Sequence, residues 1–244
     1  MLFNYYEALE SDIVTKSIVL KTETNKKEYL DISSNKLHDS CILCMNQRFE
    51  GACYNAGYTI ECMVKFIFLE EFKCDNRQNL IDLYRNPPSC VRRIYSFCTG
   101  INDFRISIFG MEYTKCNIKD FESICKDVYN NVLSEHTFEY GLTKLKDYKK
   151  TKVDLNNYKY LLDWSEQWRY RLLTNKELKN GVMIKKLTPH DLNDQGVCHA
   201  IIKEINELIQ QLYSDDLISQ KDYNLYYKNI LEKEVHACLN TSAQ

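Results

Sequence analysis

The chain has 244 residues, 44% of them hydrophobic and 27% charged, enough to bury a sizeable core in one large domain or one domain with an insertion. The formal net charge is −2, so no global basic field advertises nucleic acid, and any such contact needs a local patch. Seven glycines and three prolines are few for this length, which favours helices over a turn-rich β architecture.

Residues 1–32 form an N-terminal extension that mixes a short helical hint (Phe3, Tyr6, Leu9) with apolar pairs at Ile13-Val14 and Ile18-Val19. Ser33-Ser34-Asn35 then supply N-cap residue types, and Leu37, Cys41, Cys44 and Met45 recur at helical spacing. This is the first bundle helix, and it turns near 47–51 into a second one, Arg48–Phe72. At 100° per residue, Ala52, Cys53, Ala56, Ile60, Met63, Val64 and Ile67 share one wide face. Tyr54, Tyr58, Leu69 and Phe72 occupy the opposite face, so the helix is apolar nearly all round and belongs at the centre of a bundle. Glu61 and Lys65 interrupt that second face at i, i+4, with the acid on the N-terminal side, the favourable order for a pair. A buried charge is tolerated only with a partner.

A third helical pattern starts at Asp75-Asn76 and is stopped by Asn86-Pro87-Pro88. From about 89 to 117 the pattern loosens into an insertion, where Phe104, Ile106 and Ile108 alternate before Gly110 as one strand of a short β-hairpin. Helical spacing resumes with Phe121, Ile124, Val128 and Leu133, and again with Leu142 and Leu145. Five lysines between Lys144 and Lys152 could touch phosphate, but without arginines or interleaved aromatics a solvated helix end is the better reading. Gly181-Val182-Met183-Ile184 reads as a further strand placed to pair with the earlier one. A loop at Thr188–Leu192 leads to a strong amphipathic helix, with Ile201, Ile205, Leu208 and Leu212 on its stripe and Ser214-Asp215-Asp216 at its end. Ser219-x-x-Asp222 is a capping signal for a last helix carrying Tyr223, Tyr226, Tyr227, Ile230 and Leu231.

Eleven cysteines are many, and the number is odd. No secretory signal is visible, and no run approaches the roughly 18 apolar residues that span a bilayer, so the expectation is a cytoplasmic protein with reduced thiols and no membrane contact. Most of these cysteines fall at apolar helical positions and serve as small core residues. Cys41-x-x-Cys44 is the only CxxC, and no second pair answers it. A structural zinc site needs four ligands, so neither metal nor cofactor is expected. The approach of His190-Asp191 to His199 in sequence does not supply a ligand cluster either.

The run Arg48-x-x-x-Ala52-x-Tyr54-x-Ala56-Gly57-Tyr58-x-x-Glu61-Cys62-x-x-Lys65 resembles the signature helix of HEPN domains. These are small antiparallel helical bundles, mostly bacterial and archaeal, linked to RNA cleavage, toxin–antitoxin pairs and phage defence. Trp164-x-x-x-Trp168-Arg169-Tyr170 looks like the downstream "W…RY" element of the same subgroup. The resemblance implies a mainly α, HEPN-like domain over 33–244 that commonly pairs as a homodimer. HEPN ribonucleases cut RNA without a metal, using Arg and His about four to six residues apart. Histidine moves the proton of a 2′-hydroxyl, and arginine stabilises the phosphorane charge. None of His38, His136, His190, His199 and His236 follows an arginine at that spacing. The expectation is therefore a non-catalytic binding or assembly module of a defence or toxin–antitoxin system, with no assigned catalytic residue. RNA or a nucleotide, and a protein encoded nearby, are its expected partners. The alternatives are a metal-independent ribonuclease with a divergent site, or a pure protein-interaction scaffold. Glu61, Lys65, Trp164, Arg169 and Tyr170 are the candidate binding residues. They stand either as a polar pocket for a nucleotide or phosphate or as a buried ion network, Glu61 to Arg169 or Lys65, that fixes helix register.

Overall fold

The computed structural model of the chain describes residues 25–72, 106–108, 111–113, 123, 127, 130–131, 138–147, 150–164, 176–179, 182–185 and 194–241. Residues 1–24, the third helix expected from Asp75, most of the 89–117 insertion and most of the Phe121–Leu133 pattern lie outside this set, as do Trp168, Arg169, Tyr170 and His190. The described residues are mainly helical, and none of their helices is long and apolar enough to cross a membrane.

The first helix, α1 (Lys26–Met45), starts earlier than its serines suggest. Asn25 is the N-cap: its Oδ1 accepts the Glu28 N–H at 3.1 Å, and Glu28 Oε2 accepts the Asn25 N–H at 2.9 Å, a complete capping box. Ser33 and Ser34 lie inside the helix because their hydroxyls bond elsewhere. Ser34 Oγ donates back to the Asp31 carbonyl at 3.1 Å, and Ser33 Oγ crosses to the Thr59 carbonyl at 2.7 Å.

That crossing belongs to a series. After a turn at 46–48, with Gln47 at φ 58°, α2 (Phe49–Glu71) runs back antiparallel to α1. Lys26 Nζ meets Glu70 Oε2 at 2.8 Å, Ser33 meets the Thr59 carbonyl, and Ser40 Oγ donates to the Ala52 carbonyl at 2.8 Å. Lys26, Ser33 and Ser40 are each seven residues apart, so these contacts descend one seam, with Leu30, Leu37 and Cys44 buried along it. Each carbonyl offers a second lone pair beyond its helical bond, and short serine side chains let the backbones approach closely.

Helix α2 is the centre, as its pattern indicates: every residue from Thr59 to Leu69 is buried. Glu139–Asp147 form α3, and Lys159–Leu162 form the short α4, which follows a 3-10 turn at Leu155–Asn157. Helix α5 (Gln195–Ser214), capped by Asp194, packs on α2 through Ile201, Ile205, Leu208, Ile209 and Leu212, all with 0% exposure. It ends at Asp215, and Asp216 takes φ 58°.

Ser219 caps the last helix, α6 (220–239), as its spacing predicts; its Oγ accepts the Asp222 N–H at 3.1 Å. This helix widens into π-turns at Tyr223–Tyr227 and Ile230–Val235. Its buried residues Tyr227, Leu231 and Val235 are spaced by four, which in an α-helix drifts by about 40° per step; the wider turn pulls the drift back and keeps them on the core.

Strands β1 (Ile106–Ile108) and β2 (Met111–Tyr113) pair antiparallel, as do β3 (Lys176–Lys179) and β4 (Val182–Lys185). The strand read at 182–184 therefore pairs with its sequence neighbour and not with the one at 106–108. Asn180-Gly181, between β3 and β4 in sequence, is a strong hairpin signal, and local closure costs less chain entropy than a distant pairing.

Three helices meet in one hydroxyl chain. Tyr227 Oη of α6 donates to Ser33 Oγ of α1 at 2.7 Å, which in turn donates to the Thr59 carbonyl of α2. Burial pushes the Tyr227 phenol above its ordinary range. Tyr227→Phe removes one bond and leaves Ser33 satisfied, at a cost of about 1 kcal/mol. Ser33→Ala removes both bonds and takes away the acceptor that Tyr227 uses, so its urea melt should show the larger loss, about 1–3 kcal/mol beyond that of Tyr227→Phe. Equal losses would mean the chain is not shared.

Candidate functional site

Of the five residues singled out in the sequence, the structure describes Glu61, Lys65 and Trp164; Arg169 and Tyr170 lie outside the described residues. Lys65 Nζ sits 2.7 Å from Glu61 Oε1, with side chains 7% and 3% exposed. The pair is made within α2, one helical turn apart, through one oxygen of the carboxylate. Burial, and then the Glu61 charge, push the neighbouring Cys62 thiol up to about 12, which makes it chemically inert.

Trp164 reaches α2 at the other end of the motif. Its Nε1 donates to the Tyr54 carbonyl at 3.2 Å, and its ring lies edge-on to Tyr58 (5.3 Å, 84°) and beside Phe138 (6.0 Å). The indole occupies the space that a side chain at position 57 would need: a Cβ on Gly57 would overlap Nε1, Cε2 and Cδ1. Gly57 is thus a slot for tryptophan. Glu204 of α5 steadies this approach by accepting the N–H groups of Leu161 (2.8 Å) and Tyr160 (3.3 Å) at the start of α4, three residues before Trp164. Desolvation raises the Glu204 carboxyl above its ordinary range, and those two backbone bonds oppose it.

The lysine run is partly spent on internal pairs. Lys144 lies 3.6 Å from Asp127 and over the Tyr140 ring, and Lys150 lies 3.2 Å from Glu71. The helix-end reading fits this better than a phosphate track.

A second constellation escaped the sequence. Cys44 of α1, His199 of α5 and Cys238 of α6 bring two sulfurs and an imidazole nitrogen within 4.8 Å of one another. The neighbouring Cys198 and Cys238 thiols hold Cys44 well below its ordinary range, assisted by His199 and against the effect of burial. Cys198 is raised in turn by the neighbouring Cys44 and Cys53, and Cys238 by Cys41 and Cys44, with burial acting in the same direction. Cys41, Cys53 and Cys198 are buried in the same core, and the packing of α1, α5 and α6 assembles the two thiols and the imidazole. Cys41-x-x-Cys44 was visible as half of such a set, but the other half lies far along the chain.

No protein-family model matches this chain, and no curated protein or solved structure matches it significantly.

Two stability measurements test the geometry of the motif. Alanine is a better helix former than glycine by about 1 kcal/mol, yet Gly57→Ala should destabilise by about 1–3 kcal/mol because the overlap with Trp164 outweighs propensity. In a Trp164→Ala background the same change should become neutral or favourable. Glu61→Ala leaves Lys65 buried without its carboxylate and should cost about 3–5 kcal/mol, whereas Glu61→Leu combined with Lys65→Met should cost much less. Additive losses in denaturant melts would dismiss either coupling.

Proposed function

We propose that this chain is a HEPN-like helical bundle that works as a non-catalytic binding or assembly module in a prokaryotic defence or toxin–antitoxin system. The observation that carries this reading is the burial of the Glu61–Lys65 pair, 2.7 Å apart within one helix and 3% and 7% exposed. Together with Gly57, filled by Trp164, it consigns the recognised motif to internal architecture. The described histidines support the same view. His38 Nδ1 is 2.6 Å from Glu234 Oε2, His199 adjoins the thiols, and none has an arginine four to six residues before it. A proton shuttle without a neighbouring cation to stabilise phosphorane charge is a poor ribonuclease.

In this reading the module pairs as a homodimer, with RNA or a nucleotide and a protein encoded by a neighbouring gene as its partners. The Tyr-rich α6, where Leu225 is 64% exposed, offers a surface for such contacts. Incubating the purified protein with tRNA and total RNA, with and without a chelator, should leave the RNA intact. Metal-independent cleavage would favour the divergent ribonuclease instead. Light scattering should give the mass of a dimer, with an interface of at least about 1,200 Å². A monomer well above micromolar concentration, alone and with the neighbouring gene product, would refute assembly.

A further inference from the structure

We propose that Cys44, His199 and Cys238, with Cys41 as fourth donor, form a tetrahedral site for one zinc-type divalent cation that staples α1, α5 and α6 together. This goes beyond the functional reading above and does not depend on it.

The donor types are those that zinc selects, borderline-soft sulfur and imidazole nitrogen. Their spacing fits a single ion. Zn–S bonds of about 2.3 Å at tetrahedral angles place two sulfurs about 3.8 Å apart. Donors already within 4.8 Å of one another thus need to close by no more than about an ångström. Cys41 stands one helical turn before Cys44, on the same face of α1, and its thiol is buried. Its sulfur lies outside the group of three that share the 4.8 Å spacing, so it joins the shell by rotation of its side chain on α1. Cys198 is a poorer fourth ligand, because it is adjacent to His199 on α5 and lies outside the group of three donors.

The surroundings fit a site better than an ordinary core. Cys41, Cys44 and Cys238 are buried, while His199 is half-buried and gives the ion an entrance. Gln195 Nε2 lies 3.5 Å from His199 Nε2 and donates to the Thr241 carbonyl at 3.0 Å, which ties the start of α5 to the end of α6 beside the ring. Packing alone has no use for an imidazole between two thiols. Cys62 shows the plain alternative: a buried cysteine away from the cluster, serving as a small apolar residue. Binding converts thiols to thiolates and releases protons, so occupancy rises with pH and adds to the stability of the folded chain.

The experiment uses the full chain, reduced and stripped of metal, then titrated with Zn²⁺ and with Co²⁺. One equivalent of zinc should survive gel filtration and raise the thermal midpoint. Cobalt should show the visible bands of a tetrahedral ion and the charge-transfer absorption of three thiolates. Cys44→Ser and Cys238→Ser should abolish retention, and Cys41→Ser should lower the charge-transfer intensity by about a third, in proportion to one donor of three. His199→Gln, at the half-exposed mouth, tests the site even if a cysteine variant fails to fold; circular dichroism should show intact helices and the affinity should fall at least about tenfold. Cys62→Ala should retain zinc as the parent does. A reduced parent chain that holds no cation while all its thiols titrate as free would overturn the proposal. So would equal zinc affinity for His199→Gln and Cys62→Ala. An unchanged cobalt band in Cys41→Ser would overturn the assignment of the fourth donor.

Discussion

From Thr59 to Leu69 α2 is buried on every side, and the need to satisfy its polar groups there constrains its neighbours. Its two buried charges, Glu61 and Lys65, meet within the helix. Its carbonyls at Ala52 and Thr59 take serine hydroxyls from α1 on their spare lone pairs, and Tyr54 takes the Trp164 indole. Each bond also positions the element that supplies it, so polar satisfaction and helix register are one problem with one solution. Desolvating the pair is costly in itself. A hydrophobic isostere could be as stable, which makes register, not stability, the better account of why charges sit there.

What the sequence could disclose was local. The all-round apolar pattern of α2, the Glu61–Lys65 spacing, the stripe of α5 and the Ser219 cap each depend on residues within a few turns, and each is found where the pattern put it. The beginning of α1 was legible too, in Asn25-x-x-Glu28, but two serines further on matched the same capping chemistry and drew the boundary to themselves. Their true acceptors lie across a helix interface, beyond the reach of any local rule. The seven-residue spacing of Ser33 and Ser40, in step with Leu30, Leu37 and Cys44, was the trace that a seam reading would have needed.

The thiol cluster marks the limit of that kind of reading. Cys44, His199 and Cys238 share no spacing rule, because three different helices bring them together. Ligand-spacing patterns detect sites built on one turn or one knuckle; they miss sites built by a bundle. Trp164 and Gly57 pose the same difficulty in steric form. Both belong to recognisable motifs, yet only the folded chain shows that one fills the vacancy of the other.

The placement of both charges on one helix also bears on the order of assembly. A cross-helix pair must find its partner through a slow, long-range encounter, each ion losing water before the other arrives. Glu61 and Lys65 need only one turn of α2 to wind, on the fast timescale of helix formation. What then enters the interior is a compact dipole and not two bare ions, and the desolvation barrier falls accordingly. Collapse around an unwound 61–65 segment would trap two separated charges in the core, so the geometry favours routes in which α2 winds before it is covered.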